Sequence, residues 1–191
     1  CPYTLTTGYV SLMLKEELYL IKAEAQWWMN DVDGAYESTV KAVQSSFERF
    51  EVSAARLKDY QKPRKKLAGD AETIYDLPSV AQGFDIGHIM RQKYICLYMQ
   101  PEMWNDMRRY CYSNGKDVTY KGVIIYPGLR RPYNLYEPYW IGGDNEGKWL
   151  QRINYDPQTE EKYNRNELIR LGAYRNYKWL QKPMIWSVYN K

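Results

Sequence analysis

Apolar residues return at helical spacing along several stretches of the chain. Leu14, Leu18, Ile21, Ala25 and Trp28 repeat with a 4-3-4-3 rhythm and predict a helix over 12–30. A second strip, Leu20, Ala23 and Trp27, predicts that this helix is covered on two faces. Glu17 and Glu24, seven residues apart, line up beside the first stripe. Asp33 is the expected cap of a second helix over 34–50. One side of that helix carries a large line, Tyr36, Val40, Val43, Phe47 and Phe50. Beside it runs a small line, Ala35, Thr39, Ala42 and Ser46, which permits close approach by a neighbour. With the short turn "NDVDG" between them, the two helices predict an antiparallel hairpin over 12–50.

Ile86, Met90, Tyr94 and Leu97 predict a third helix over 84–99. Pro101 cannot continue it but suits the first turn of a fourth, with Glu102 at the favourable positive end. Trp104, Met107 and Cys111 stripe that fourth helix, and "SNG" ends it, giving a second hairpin over 84–113. Residues 116–158 are irregular, punctuated by Gly and Pro, with "VTYKGVIIYP" expected as a short strand pair. Residues 159–171 return to a helical pattern, and an aromatic tail to 191 is expected to pack on the body. The fold expected is mainly α: antiparallel helical hairpins with an irregular segment and one short strand pair. At 191 residues the chain can bury one core, so 1–191 is expected as a single domain.

Two cations interrupt the stripes. Lys93 falls among Ile86, Ile89, Met90 and Leu97, and Arg108 falls among Trp104, Met107 and Cys111. A buried unpaired cation costs several kcal/mol, so each needs a carboxylate or a route to water. Glu17 and Glu24 are the natural partners. The expectation is a structural polar network of Glu17, Glu24, Lys93 and Arg108 linking the hairpins, against the alternative that both cationic stems reach the surface.

The formal charge of +4 and pI near 8.8 are mildly basic. The basic residues cluster at Arg56, Lys58, Lys62, Arg64, Lys65 and Lys66, between helical patterns, which reads as a solvated connection rather than a nucleic-acid surface. No run of 18 apolar residues occurs. The chain opens on Cys1, so a mature or trimmed product is expected. Of the three cysteines, Cys96 and Cys111 sit on apolar stripes and are expected as buried thiols. The 20 Tyr and 7 Trp against 3 Phe are unusual; rings with a polar handle suit interfaces and sugar faces, or a core built on Tyr.

Catalytic signatures are missing. HExxH, GxSxG, GxxxxGK[ST] and CxxC do not occur, the sole histidine, His88, has no second ligand at metal spacing, and "IGGDNEG" at 141–147 is too short for an EF-hand loop. No catalytic residue, metal or cofactor is expected, and the chain is not expected to be an enzyme.

Several motifs recur in a telling order: "LYLIKAEAQWW" at 18–28, the Asp-Gly-Ala opening of the second helix, "RQKYICLY" at 91–98, "EMWNDMRRY" at 102–110, "RINYD" at 152–156 followed by Glu161 and Asn164, and "PMIW" at 183–186. This order resembles the C-terminal part of the SusD/RagB family of outer-membrane nutrient-binding lipoproteins, over nearly the whole chain. The resemblance implies hairpins like those of tetratricopeptide repeats. It also implies a surface-exposed lipoprotein of the outer membrane, held by a lipid anchor outside this chain. Its partners would be an oligosaccharide and a TonB-dependent, SusC-like transporter, with no nucleic acid. It implies binding without cleavage in nutrient uptake. Gln92-Lys93 and Trp104, Arg108 and Arg109 match positions read as scaffold.

A glycan surface, if carried by this chain, is expected on the irregular segment 132–149. Tyr133, Tyr136, Tyr139, Trp140 and Trp149 would stack on sugar faces, and Asn134, Asp144 and Asn145 would bond hydroxyls. The competing reading has these rings covering the helices beneath. The alternative functions are a helical-repeat module that binds peptide or protein and, further off, a glycosidase, which needs two carboxylates about 5–10 Å apart across a cleft.

Overall fold

The computed structural model describes residues 12–63, 76–114, 119–130 and 149–188. Among these residues the chain is mainly helical and forms no strand. No helix among them is long and apolar enough to cross a membrane. Contacts divide the chain into two compact units, Cys1–Met103 and Trp104–Lys191.

The first unit is built on α1 (Lys15–Trp28), α2 (Val32–Arg49), the short α3 (Leu57–Tyr60) and α4 (Ile86–Cys96). α1 and α2 pack antiparallel: Lys15 and Glu16, at the start of α1, pair with Glu48 and Arg49 at the end of α2, while Ser38 donates to Gln26 at 2.6 Å near the turn. Asp31, not Asp33, caps α2, accepting from the Gly34 amide at 3.0 Å and from the Gln26 side chain at 2.9 Å. The chain reaches Asp31 through Asn30 in the left-handed region, φ 66°, which leaves Asp33 inside the first turn.

Which stripes are buried is the main departure from expectation. On α1 the buried face is Glu16, Leu20, Ala23 and Glu24. Of the expected main stripe, Leu18 (53 %), Ile21 (45 %) and Trp28 (38 %) are exposed. On α2 the small line is the buried one: Ala35, Ser38, Thr39, Ala42, Ser45 and Ser46, with Val43. The cause is steric. Small side chains let helix backbones approach closely, so the small face of α2 receives α1 at Ser38 and α4 at Ser46, and Tyr36 and Phe47 remain half-buried at its rim. The contact then needs only one strip of α1. Full burial of a residue such as Leu20 stabilises by roughly 1.5–3 kcal/mol.

α4 packs on both helices through Ile86, Ile89, Met90, Lys93 and Cys96. Asp85 caps it, accepting from the His88 amide at 3.1 Å, and its carboxylate lies 2.7 Å from His88 Nδ1. Burial alone would raise the Asp85 pKa, but the bonds from His88 outweigh it and hold the carboxyl below its ordinary value. The lone histidine is therefore a helix-start residue. The described part of the basic connection, through Pro63, is exposed, with Arg56 and Lys62 both paired to Asp59.

The second unit begins within α5 (Pro101–Arg109) and continues through α6 (Glu160–Tyr163), α7 (Arg165–Leu171), α8 (Tyr177–Leu180) and α9 (Ile185–Val188). α5 stops at Arg109, before the expected "SNG". Cys111 and Tyr112 both turn left-handed, φ 53° and 51°, and the Tyr112 amide closes back on the Met107 carbonyl at 2.8 Å. Two bonds at the Tyr112 hydroxyl and a stacked ring offset that backbone strain: it accepts from Trp104 Nε1 at 2.8 Å and donates to the Leu150 carbonyl at 2.5 Å, and its ring lies on Trp149 at 4.6 Å and 8°. Buried Tyr110 meets Tyr120 edge-on at 4.7 Å. The expected strand pair reduces to a tight turn. Lys121 and Gly122, φ 49° and 80°, both take the left-handed conformation of a type I′ turn between Tyr120 and Val123. A second apolar cluster joins Leu168, Ala173, Trp179 and Leu180, flanked by Tyr155 and Tyr174. The tail does pack on this unit: Arg152 donates to the Lys182 and Pro183 carbonyls, and the Cys111 thiol reaches the Ser187 carbonyl.

Candidate functional site

The expected network resolves into separate parts. Lys93 Nζ meets Glu24 Oε2 at 3.1 Å, and both side chains are buried. Glu17 is not a member: it turns back to accept from the Leu14 amide at 3.4 Å, at the start of its own helix. The acid that joins Glu24 on the buried face is Glu16, held by Arg49 at 2.5 Å, while Arg49 also donates to the Cys96 carbonyl. Eight residues, rather than seven, separate the two acids, which keeps both on the strip of Leu20 and Ala23. The Cys96 thiol, pushed up to about 11 by burial, is inert in this setting.

Arg108 also departs from the network. Its guanidinium donates to the Gln151 carbonyl at 3.1 Å and to the side-chain oxygen of Asn105. Its flat face lies over Trp104 at 3.8 Å, with Trp186 at 5.0 Å. Among the described residues no carboxylate pairs with it, and burial lowers its pKa below the usual arginine value. Arg109, by contrast, is matched by Asp106 at 2.6 Å. The spacing "WNDMRR" explains the split: Trp104 and Arg108, four apart, share a face, whereas Asp106 and Arg109, three apart, share another.

Arg108 lines a cleft of about 520 Å³ in the second unit. Trp104 stands beside it. Arg152, Ile153, Asn154, Tyr155 and Asp156 form one wall in unbroken succession, and Trp179 and Met184 complete the lining. The wall residues are held by backbone bonds: the amides of Gln151 and Arg152 both donate to the Leu180 carbonyl, at 2.7 and 3.1 Å. Arg152 lies over Trp179 at 4.4 Å, and Tyr155 tilts against the same ring at 6.1 Å. Asp156 takes a bond from the Thr159 hydroxyl at 2.7 Å and another from the Gln158 amide, which hold its carboxyl below the usual range. It is an anion at neutral pH, tied into the start of α6.

Of the residues expected to contact a glycan, Trp149 is stacked on Tyr112. Tyr133, Asn134, Tyr136, Tyr139, Trp140, Asp144 and Asn145 lie outside the described residues. The cleft itself, with Trp104, Arg152, Asn154, Tyr155, Asp156 and Trp179, was not anticipated as a site. A signal existed in "RINYD", where a cation, an amide, an aromatic ring and an acid occur within five residues of an irregular stretch.

Among the described residues no group of three His, Cys, Asp or Glu side chains could hold a metal ion. Compared with family models, curated proteins and solved structures, the chain gives no match.

Proposed function

We propose that this chain is an oligosaccharide-binding protein of the outer-membrane surface, working with a TonB-dependent transporter in nutrient uptake, and that the cleft of the second unit receives the sugar. The observation that carries the reading is the lining of that cleft. Trp104 and Arg108 come from "EMWNDMRRY", residues 152–156 are "RINYD", and Met184 belongs to "PMIW", so three separate motifs of the SusD/RagB resemblance contribute to one opening. The lining mixes aromatic rings with amide, guanidinium and carboxylate groups, the combination that suits a ligand with apolar C–H faces and a hydroxyl rim. Helices paired in the manner of tetratricopeptide repeats would be the framework. Tyr133, Tyr136, Tyr139 and Trp140 remain candidates for further ring contacts on composition.

Binding without cleavage is the better reading. Glycoside hydrolysis needs a pair of carboxylates, one of them protonated as the acid. Asp156 is the single carboxylate among the described residues lining the cleft, and its bonds favour the charged form.

A glycan array probed with the chain, followed by calorimetry on Asn154→Ala and Tyr155→Ala, tests the proposal. Each substitution should weaken a captured glycan by about five- to tenfold, the scale of one lost contact of 1–1.4 kcal/mol. Unchanged affinity in both, with intact circular dichroism, would remove the cleft from the reading.

A further inference from the structure

The cleft holds more positive charge than its own carboxylate can balance. Arg108 is only 8 % exposed, and its Nη atoms are tied to neutral oxygens, the Gln151 carbonyl and the Asn105 side chain, while its Nε has no acceptor. Arg152 is half-buried rather than buried, but it too is held by neutral oxygens. Its Nε and Nη2 donate to the carbonyls of Lys182 and Pro183 at 2.8 and 2.9 Å, and no carboxylate pairs with it among the described residues. Elsewhere in the same unit Arg109 pairs with Asp106, Arg170 with Glu167 and Arg175 with Glu161, while Arg165 lies over Tyr174 without an acid among the described residues. Asp156 is occupied by Thr159 and Gln158.

The aromatic walls point the same way. A neutral sugar binds such a wall by laying its C–H face on a bare ring. Here Arg108 covers one face of Trp104, and Arg152 and Lys182 both sit over Trp179, at 4.4 and 5.2 Å. The rings serve as platforms that hold cations in place. A guanidinium fixed by carbonyls and stacked on indole has little rotamer freedom left to lose, so it is preorganised for an incoming anion. A guanidinium bound to carbonyls keeps its positive charge, and its remaining N–H groups can make charge-assisted bonds to a planar carboxylate or a tetrahedral sulfate ester.

We infer that the cleft takes acidic oligosaccharides, chains carrying carboxylate or sulfate groups, in preference to neutral ones, with Arg108 and Arg152 as the groups that select the charge. This inference rests on the oligosaccharide reading above and names the class of ligand.

The test is titration calorimetry on the full chain with three probes: a tetragalacturonate, the same tetrasaccharide with its carboxyls methyl-esterified, and a sulfated chondroitin tetrasaccharide. The ester removes the charge while keeping the sugar backbone. The expected result is at least tenfold tighter binding of an acidic probe than of the ester, with affinity falling as NaCl rises from 50 to 500 mM. Tighter binding of the galacturonate assigns the cleft to carboxylates, and loss of chondroitin binding when its sulfates are removed, its uronate carboxyls being kept, assigns it to sulfate esters. Arg152→Gln should close the gap between acid and ester, and Arg152→Lys should keep part of it, with the circular dichroism of the folded chain retained in both. Ester bound as tightly as acid would overturn the charge selection and leave the oligosaccharide reading standing. Binding of no probe, together with an empty glycan array, would overturn both.

Discussion

Removing one member of the Lys93–Glu24 pair should cost far more than removing both. The two groups are 4 % and 6 % exposed and 3.1 Å apart. At that separation, with an effective dielectric of about 20, their attraction is about 5 kcal/mol. Desolvation consumes several kcal/mol for each ion, so the intact pair contributes little net stability. Glu24→Gln keeps the shape but puts a neutral amide against the ammonium, and Lys93→Met takes the ammonium away from the Glu24 carboxylate. Each should destabilise by about 3–5 kcal/mol, a large share of the 5–15 kcal/mol typical of a folded domain. The double variant Glu24→Leu with Lys93→Met should recover most of that loss, because packed apolar groups of similar volume replace a buried pair at little cost. Urea unfolding followed by circular dichroism measures all of these, and a cycle with Glu24→Gln and Lys93→Met should give a coupling of at least about 2 kcal/mol. A coupling below about 0.5 kcal/mol, or single variants each losing under 1 kcal/mol, would refute the claim that α1 and α4 depend on this neutralisation.

Asp31→Ala should destabilise by about 1–2 kcal/mol, since the carboxylate caps α2 and also holds Gln26, whereas Asp33→Ala should cost no more than about 0.5 kcal/mol; equal losses in chemical denaturation would contradict the cap assignment. Tyr112→Phe should cost about 1–2 kcal/mol by removing the partner of the part-buried Leu150 carbonyl and Trp104 indole donor. The Tyr112 hydroxyl has its pKa pushed up to about 12 by burial, against 10.0 when free, so the folded chain holds that proton more tightly than the unfolded chain. Its contribution is complete below pH 10 and is lost as pH rises to about 12, and Tyr112→Phe should flatten this part of the stability profile. An unchanged slope above pH 10 would exclude Tyr112 as its source.

Much of the first unit could be read directly from spacing. The positions of α1, α2 and α4, and the acid opposite Lys93, follow from helical periodicity and the cost of a bare buried cation. What spacing could not tell was which of two adjacent stripes faces inward. Leu18, Ile21 and Trp28 carry more apolar surface than Leu20 and Ala23, yet the small face of α2 decides the contact, and that is a property of the pair of helices. The same limit misassigned Glu17, which is closer to a local backbone amide than to any partner across the crossing. The end of α5 was hidden for a different reason. Left-handed Cys111 and Tyr112 are stabilised by Trp149 and Leu150, nearly forty residues onward, so no local signal marks the stop.

Lys93 and Arg108 looked alike in the sequence, each a cation among apolar neighbours, and the difference between them is whether a carboxylate balances the charge. Lys93 meets an acid of its own unit, so its charge is balanced before any ligand arrives, and an anion brought to it would have to displace Glu24. Arg108 has carbonyl and amide oxygens instead. These satisfy hydrogen bonds without cancelling charge, so the guanidinium keeps most of its field while losing part of its hydration. Such an arrangement is costly to keep in a cleft unless something recovers the cost, and in water nothing does so better than a counter-charge delivered from outside. Arg152, half-buried, is likewise held by carbonyl oxygens. Two cations held by neutral oxygens, on two segments more than forty residues apart, leave at the cleft a positive field that Asp156 alone does not balance.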